Sequence, residues 1–110
     1  MDLADDRIYE LHATICKALA HPARLKVLDL LREGEECVCR LAPQVGVTES
    51  NLSQLLAALR RAGLVEARRE GRAIYYRVAD RRTFQVLDQM RAILADRLTR
   101  ANTLAMALRT

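Results

Sequence analysis

Residues 38–59 read VCRLAPQVGVTESNLSQLLAAL, and the short link Val45-Gly46-Val47 in their middle governs how the flanking residues are read. Before the link, the pattern predicts a short helix from about 37 to 45 that stops near Gly46. After it, Thr48 is a good N-cap, because its hydroxyl can accept from an orphan backbone N–H at Ser50 or Asn51. Leu52, Leu55, Leu56 and Leu59 then recur at helical spacing as far as the stop at Gly63. Two helices joined by so tight a link are a helix-turn-helix candidate.

Upstream, Ile8, Leu11, Ile15 and Leu19 recur at three- and four-residue spacing between Asp5 and Ala20, the stripe of an amphipathic helix. His21-Pro22 breaks it, with Pro22 suited to the first position of the next helix. That helix, about 22 to 33, carries Leu25, Val27, Leu28 and Leu31 on one broad face and ends at Gly34. Downstream of Gly63 the period changes from 3.6 to 2. Residues 64–69 and 73–78, separated by Glu70-Gly71-Arg72, read as a two-stranded hairpin with a glycine at its tip.

A final helix from about 83 to 108 lines up Phe84, Leu87, Met90, Leu94, Leu98, Ala101, Ala105 and Leu108. Its roughly 25 residues span about 37 Å, more than so small a core can cover. The stripe needs something to pack on, and the first helix of a second copy would serve. The expectation is a homodimer built from the first and last helices. The predicted fold class is therefore mainly α with a small β-hairpin.

The 110 residues suffice for one domain, 1–110, and leave no room for a second. Half of them (51%) are apolar and 29% are charged, the balance of a globular protein rather than of a disordered tail. No apolar stretch approaches the roughly 18 residues of a membrane crossing. The start carries Asp2, Asp5 and Asp6, unlike the basic start of a signal peptide, so the expected location is cytoplasmic with no membrane partner.

The net charge of +4 conceals an asymmetry. Residues 1–58 hold nine acids against six bases, whereas residues 59–110 hold twelve bases against five acids. Sixteen of the eighteen basic residues are Arg, whose planar fork pairs with phosphates and base edges. An anionic polymer is the partner this implies, against the plainer reading of a solvated surface.

Three stretches, in order and at the right spacing, carry a resemblance. Ala18-Leu19-Ala20-His21-Pro22-Ala23-Arg24-Leu25-Lys26-Val27-Leu28 is similar to a signature of the ArsR/SmtB family of bacterial repressors. Leu59-Arg60-Arg61-Ala62-Gly63-Leu64-Val65, with Arg69-Glu70-Gly71-Arg72 and Tyr75-Tyr76, resembles that family's recognition-helix exit and wing. Glu36-Cys37-Val38-Cys39-Arg40-Leu41-Ala42 resembles its metal-binding segment, and the match runs from about residue 8 to 95. The resemblance implies a winged helix-turn-helix repressor dimer that releases double-stranded operator DNA when it binds an inducer.

In such a motif the N-terminal part of the second helix enters the major groove. Here it carries Thr48, Ser50, Asn51, Ser53 and Gln54, the candidate base or phosphate contacts, with Leu52 and Leu55 assigned to the core. Gln54-Leu55 departs from the histidines the family often places there, which bears on operator sequence rather than on the groove used. Arg60 and the hairpin arginines Arg68, Arg69 and Arg72 are the candidate contacts to flanking phosphates or the minor groove.

Three cysteines are too few and too oddly numbered for a disulfide framework, which leaves ligand, redox switch or buried filler. Cys37 and Cys39 lie at a helix start, where thiolate is favoured, although Glu35 and Glu36 oppose it. Two residues separated by one are about 200° apart on a regular helix, so binding both to one ion requires the first turn to unwind. Such a distortion would shift the following helix and oppose DNA binding. Soft thiolates favour As(III), Sb(III), Cd(II) or Pb(II) over hard ions.

Many arsenic sensors of the family carry a third cysteine three positions after the pair, where this chain has Ala42. Cys16 is the remaining thiol and completes a provisional As(III) or Sb(III) triad with Cys37 and Cys39, from either protomer, unless it is buried filler beside Ile15 and Leu19. The family's other sensor site needs histidines that Asp80-Arg81-Arg82 lacks. His12 is a weaker candidate as a fourth ligand for Cd(II) or Zn(II), and His21 shapes a turn.

Three other readings use the same residues. The thiols could sense oxidants or sulfur species, with a bond to Cys16 favoured over a short C-x-C loop. A cysteine nucleophile would have only His12, near Cys16, as a base, with no phosphate loop or hydrolase motif, so the chain is not expected to be an enzyme. A DNA-binding architectural protein with no ligand is the third.

Overall fold

The computed structural model describes residues 5–109. Five helices and three short strands follow in the order α1 (Arg7–Leu19), α2 (Pro22–Leu30), β1 (Glu36–Cys37), α3 (Val38–Val45), α4 (Glu49–Arg61), β2 (Val65–Glu70), β3 (Ala73–Val78) and α5 (Arg82–Leu108). They divide into a compact unit through residue 80 and a C-terminal helical unit from residue 81.

The helix boundaries follow local chemistry. At the head of α2, His21 is extended and its Nδ1 accepts from the Ala23 N–H at 3.1 Å, while Pro22 occupies the position where a missing N–H costs nothing. Arg24 then reaches back, its Nη1 donating to the Ala18 carbonyl at 3.1 Å, which ties the end of α1 to α2. α2 stops at Leu30, three residues before the expected end at 33, because residues 31–34 tighten into turns that lead to β1.

α3 ends on Gly46, whose φ of 85° is left-handed and open to glycine without a Cβ penalty. Gly46 N–H and Val47 N–H both donate to the Ala42 carbonyl, the closing pattern of a helix stopped by glycine. Two residues after Gly46, the Thr48 hydroxyl accepts from the Asn51 N–H at 3.1 Å and starts α4, as the sequence predicts. Pro43 lies inside α3 and has no N–H, so it removes the donor that the Cys39 carbonyl would have had within the helix.

The core of the first unit is Val27, Leu28, Leu31, Leu41, Leu52, Leu56 and Leu59, all at 1% exposure or less. Leu55, assigned to the core beside Leu52, is only half-buried. Leu64, Val65 and Val78 extend this core to the sheet, where the Ala79 N–H donates to the Leu64 carbonyl at 2.9 Å.

The expected two-stranded hairpin is one edge of a three-stranded antiparallel sheet of order β1-β3-β2. β2 and β3 pair from Val65↔Val78 to Glu70↔Ala73 around Gly71, whose φ of 61° suits the first position of a two-residue turn. The third strand, β1, contributes Glu36↔Tyr76 and Cys37↔Tyr75. It is too short to show any periodicity, which is why the sequence pattern misses it.

α5 buries Phe84 and Leu87, then runs exposed through Met90, Ile93, Leu94, Leu98, Leu104 and Leu108. Tyr9, Leu11 and Ile15 on α1 are likewise exposed apolar residues. Among the described residues no helix is long and apolar enough to cross a membrane.

Candidate thiol site and nucleic-acid interface

Cys37 ends β1 and is at the same time the N-cap of α3, with extended φ and ψ of −74° and 142°. An extended cap residue turns its side chain back over the first helical turn, as capping hydroxyls do. Its Sγ accordingly accepts from the Cys39 N–H at 3.2 Å and is joined to Cys39 Sγ in a disulfide. Cys37 is 7% exposed, whereas Cys39 on the first turn of α3 is open to solvent.

Two expectations are corrected by this geometry. The pair comes together without unwinding a helix, because Cys37 lies before the helix and the 200° argument applies only within one. The short C-x-C loop bridges to itself rather than to Cys16, which is a free and exposed thiol on α1 and not buried filler. Among the described residues no three His, Cys, Asp or Glu side chains are grouped to hold a metal ion, so one chain does not assemble Cys16, Cys37 and Cys39.

The Cys37–Cys39 pair opens into a cleft of about 450 Å³ shared with Glu49, Ser50 and Ser53 of α4 and with Arg72 at the wing tip. The candidate sensing groups and candidate DNA-contact residues thus line one space. Ser50, Asn51, Ser53 and Gln54 are exposed along the start of α4, and Arg60 is exposed in its last turn. Thr48 is exposed but its hydroxyl is occupied as the cap.

The wing arginines are not equivalent. Arg69 and Arg72 are exposed and enter no ion pair recorded among the described residues. Arg68 is held on three sides. Its Nε and Nη2 donate to the two Glu35 carboxylate oxygens at 3.0 and 2.6 Å, and its Nη1 donates to Glu70 at 2.9 Å. Its guanidinium carbon also sits 4.8 Å from the centre of the Tyr75 ring.

The same hydrogen bonds pull the Glu35 carboxyl below its usual range, first through the bond from Arg68, and raise the Arg68 guanidinium further above its own. Sequence reading treats Glu35 only as a charge near the thiols. Its partner lies 33 residues away, and neither periodicity nor a motif joins them.

A helix-turn-helix followed at once by a two-stranded wing defines the winged helix-turn-helix class. The family model of bacterial regulatory proteins of the arsR family matches residues 21–67. The HTH-type transcriptional regulator Rv0081 of Mycobacterium tuberculosis is 44% identical over 94 residues, covering 84% of this chain and 82% of that protein. Its crystal structure superposes with a TM-score of 0.77 at 45% identity, over 84% of this chain and 93% of that one.

The homodimeric winged helix-turn-helix DNA-binding domain Mb0332 of Mycobacterium bovis, solved in solution, gives a TM-score of 0.79 at 35% identity, covering 89% and 91% of the two chains. The biofilm growth-associated repressor of Agrobacterium fabrum is 40% identical over 81 residues, 74% of this chain and 69% of that protein. The chain belongs to the ArsR family of bacterial regulatory proteins. It is a transcriptional regulator and not an enzyme.

Proposed function

We propose that the protein is a homodimeric repressor that binds double-stranded operator DNA through the start of α4 and the wing. A thiophilic ion at Cys37 and Cys39, As(III) or Sb(III) ahead of Cd(II), Pb(II) or Zn(II), releases it. The observation that carries this reading is the shared cleft, lined by Cys37, Cys39, Ser50, Ser53 and Arg72, where reduction of the pair would expose two thiols to an ion. An ion bound there changes charge and geometry among the DNA-contact candidates themselves, so ion and operator oppose each other reciprocally.

Homodimerisation is supported by the exposed apolar residues of α1 and α5 and by the homodimeric state of Mb0332. As(III) takes three thiolates, and the third would be Cys16 of the partner subunit, since one chain does not bring its own Cys16 to the pair.

A second reading is favoured by the Cys37–Cys39 bridge itself: a dithiol–disulfide switch at the same cleft. Its closure passes two electrons and two protons to hydrogen peroxide, which becomes two waters, or to a small disulfide, which becomes two thiols.

Both readings are tested by anisotropy on a duplex from the protein's own upstream region. Wild type, Cys37→Ser, Cys39→Ser and Cys16→Ser are titrated with each ion in reducing buffer and, separately, with peroxide. Release by As(III) or Sb(III) that is lost in all three variants supports the metalloid triad. Release by peroxide alone, lost in Cys37→Ser and Cys39→Ser but kept in Cys16→Ser, supports the switch. DNA binding that no reagent alters overturns both.

A further inference from the structure

Arg68 joins the wing to the segment that leads into the strand carrying Cys37. Cys37 on β1 is the register partner of Tyr75 on β3, and Tyr75 is the register partner of Arg68 on β2. Partners across an antiparallel ladder share a face. Glu35 precedes Cys37 by two residues, the spacing that returns an extended chain to the same side. Cys37, Tyr75 and Arg68 therefore form one row across the sheet, and the bidentate Glu35–Arg68 pair closes it from the segment leading into β1.

The charge balance opposes a DNA-contact role. One guanidinium lies between two carboxylates, so its positive charge is already offset and is not free for a phosphate. Swinging Arg68 out to DNA would forfeit its three hydrogen bonds and leave Glu35 and Glu70 facing each other unscreened. Arg69 and Arg72 make no such bonds among the described residues and bear no comparable cost.

We infer that Arg68 is a positioning residue that fastens the wing to the strand carrying Cys37 and passes the state of the thiol pair to the wing, rather than a phosphate contact. The inference rests on the reading of Cys37 and Cys39 as the sensing pair. A change at Cys37 that moves β1 carries Glu35 with it. The wing then follows through Arg68, or the pair breaks.

The test measures operator affinity against salt for the reduced protein as wild type, Arg68→Gln, Glu35→Gln, Arg69→Gln and Arg72→Gln, with circular dichroism to establish that each is folded. Loss of one phosphate contact lowers the slope of log affinity against log salt by about 0.9. The expected result is that loss in Arg69→Gln or Arg72→Gln and a wild-type slope in Arg68→Gln and Glu35→Gln.

The same proteins are then titrated with arsenite, Cd(II) and peroxide. Arg68→Gln and Glu35→Gln shift half-release by several-fold in the same direction, and the double variant behaves like either single one. A slope loss of about 0.9 in Arg68→Gln but not in Glu35→Gln overturns the inference by making Arg68 a phosphate contact. Wild-type release in both variants overturns it as well, while leaving the sensing pair intact. A wild type that none of the three reagents releases overturns the sensing reading and the coupling role together.

Discussion

Thr48 closes the start of α4 with a single hydrogen bond from the Asn51 N–H, and the next two turns carry Ser50, Asn51, Ser53 and Gln54, four of the candidate base or phosphate contacts. Thr48→Ala should lower stability by about 1 kcal/mol, the usual worth of such a cap. Urea unfolding measures it, and Thr48→Ser, which keeps the hydroxyl, should restore most of the loss. Glu35 gives a prediction in pH. Its carboxyl titrates below the ordinary value in the folded chain, so the ion pair with Arg68 contributes stability above that ordinary value and loses it as pH falls through the folded one. Wild type should exceed Glu35→Gln in urea midpoint near neutrality by a small, salt-screened margin, and the two should converge under acid. A gap that widened toward low pH would contradict the pairing.

Among the elements, α4 serves two opposed environments on one cylinder. Leu52, Leu56 and Leu59 are fully buried, while Ser50, Asn51, Ser53 and Gln54 are exposed on the other side. Leu56→Ala should cost about 2–5 kcal/mol, because a buried leucine leaves both lost transfer energy and a cavity. Gln54→Ala, on the exposed side, should leave the urea midpoint nearly unchanged and act on operator affinity instead. β1 is the opposite case: two residues, held by pairing with β3, that place Cys37 where a cap and a strand end coincide. Its position comes from its neighbour and not from any preference of Glu36 and Cys37 for extended structure.

For the whole molecule, the exposed apolar run on α5 is the feature that a single chain does not explain. Leu94 and Leu98 are 53% and 62% exposed. The proposed homodimer predicts that Leu94→Glu with Leu98→Glu gives a monomer by sedimentation and weakens operator binding, since a two-fold site then loses its paired half. The thermal transition of the unit through residue 80 should survive. A variant that still sediments as a dimer would place the interface elsewhere.

The sequence by itself determined the five helices, the starts at Pro22 and Thr48, the stop at Gly46 and the hairpin of the wing. Each of these is set by local chemistry: Pro22 at a helix start, Thr48 as a cap, Gly46 and Gly71 where the chain needs positive φ, and a change of apolar period after Gly63. It also identified Cys37 and Cys39 as a pair, but treated both as helical, whereas Cys37 lies before the helix as its extended cap. Only the tertiary structure decided three things: that Cys37 is a strand end capping α3, that the pair shares a cleft with α4 and Arg72, and that Arg68 is bound to Glu35 and Glu70. The physical reason is sequence separation. A cap or a turn is settled within about five residues, whereas β1–β3 pairing and the Glu35–Arg68 bond join residues more than thirty apart, and their geometry exists only once the helices between them have packed.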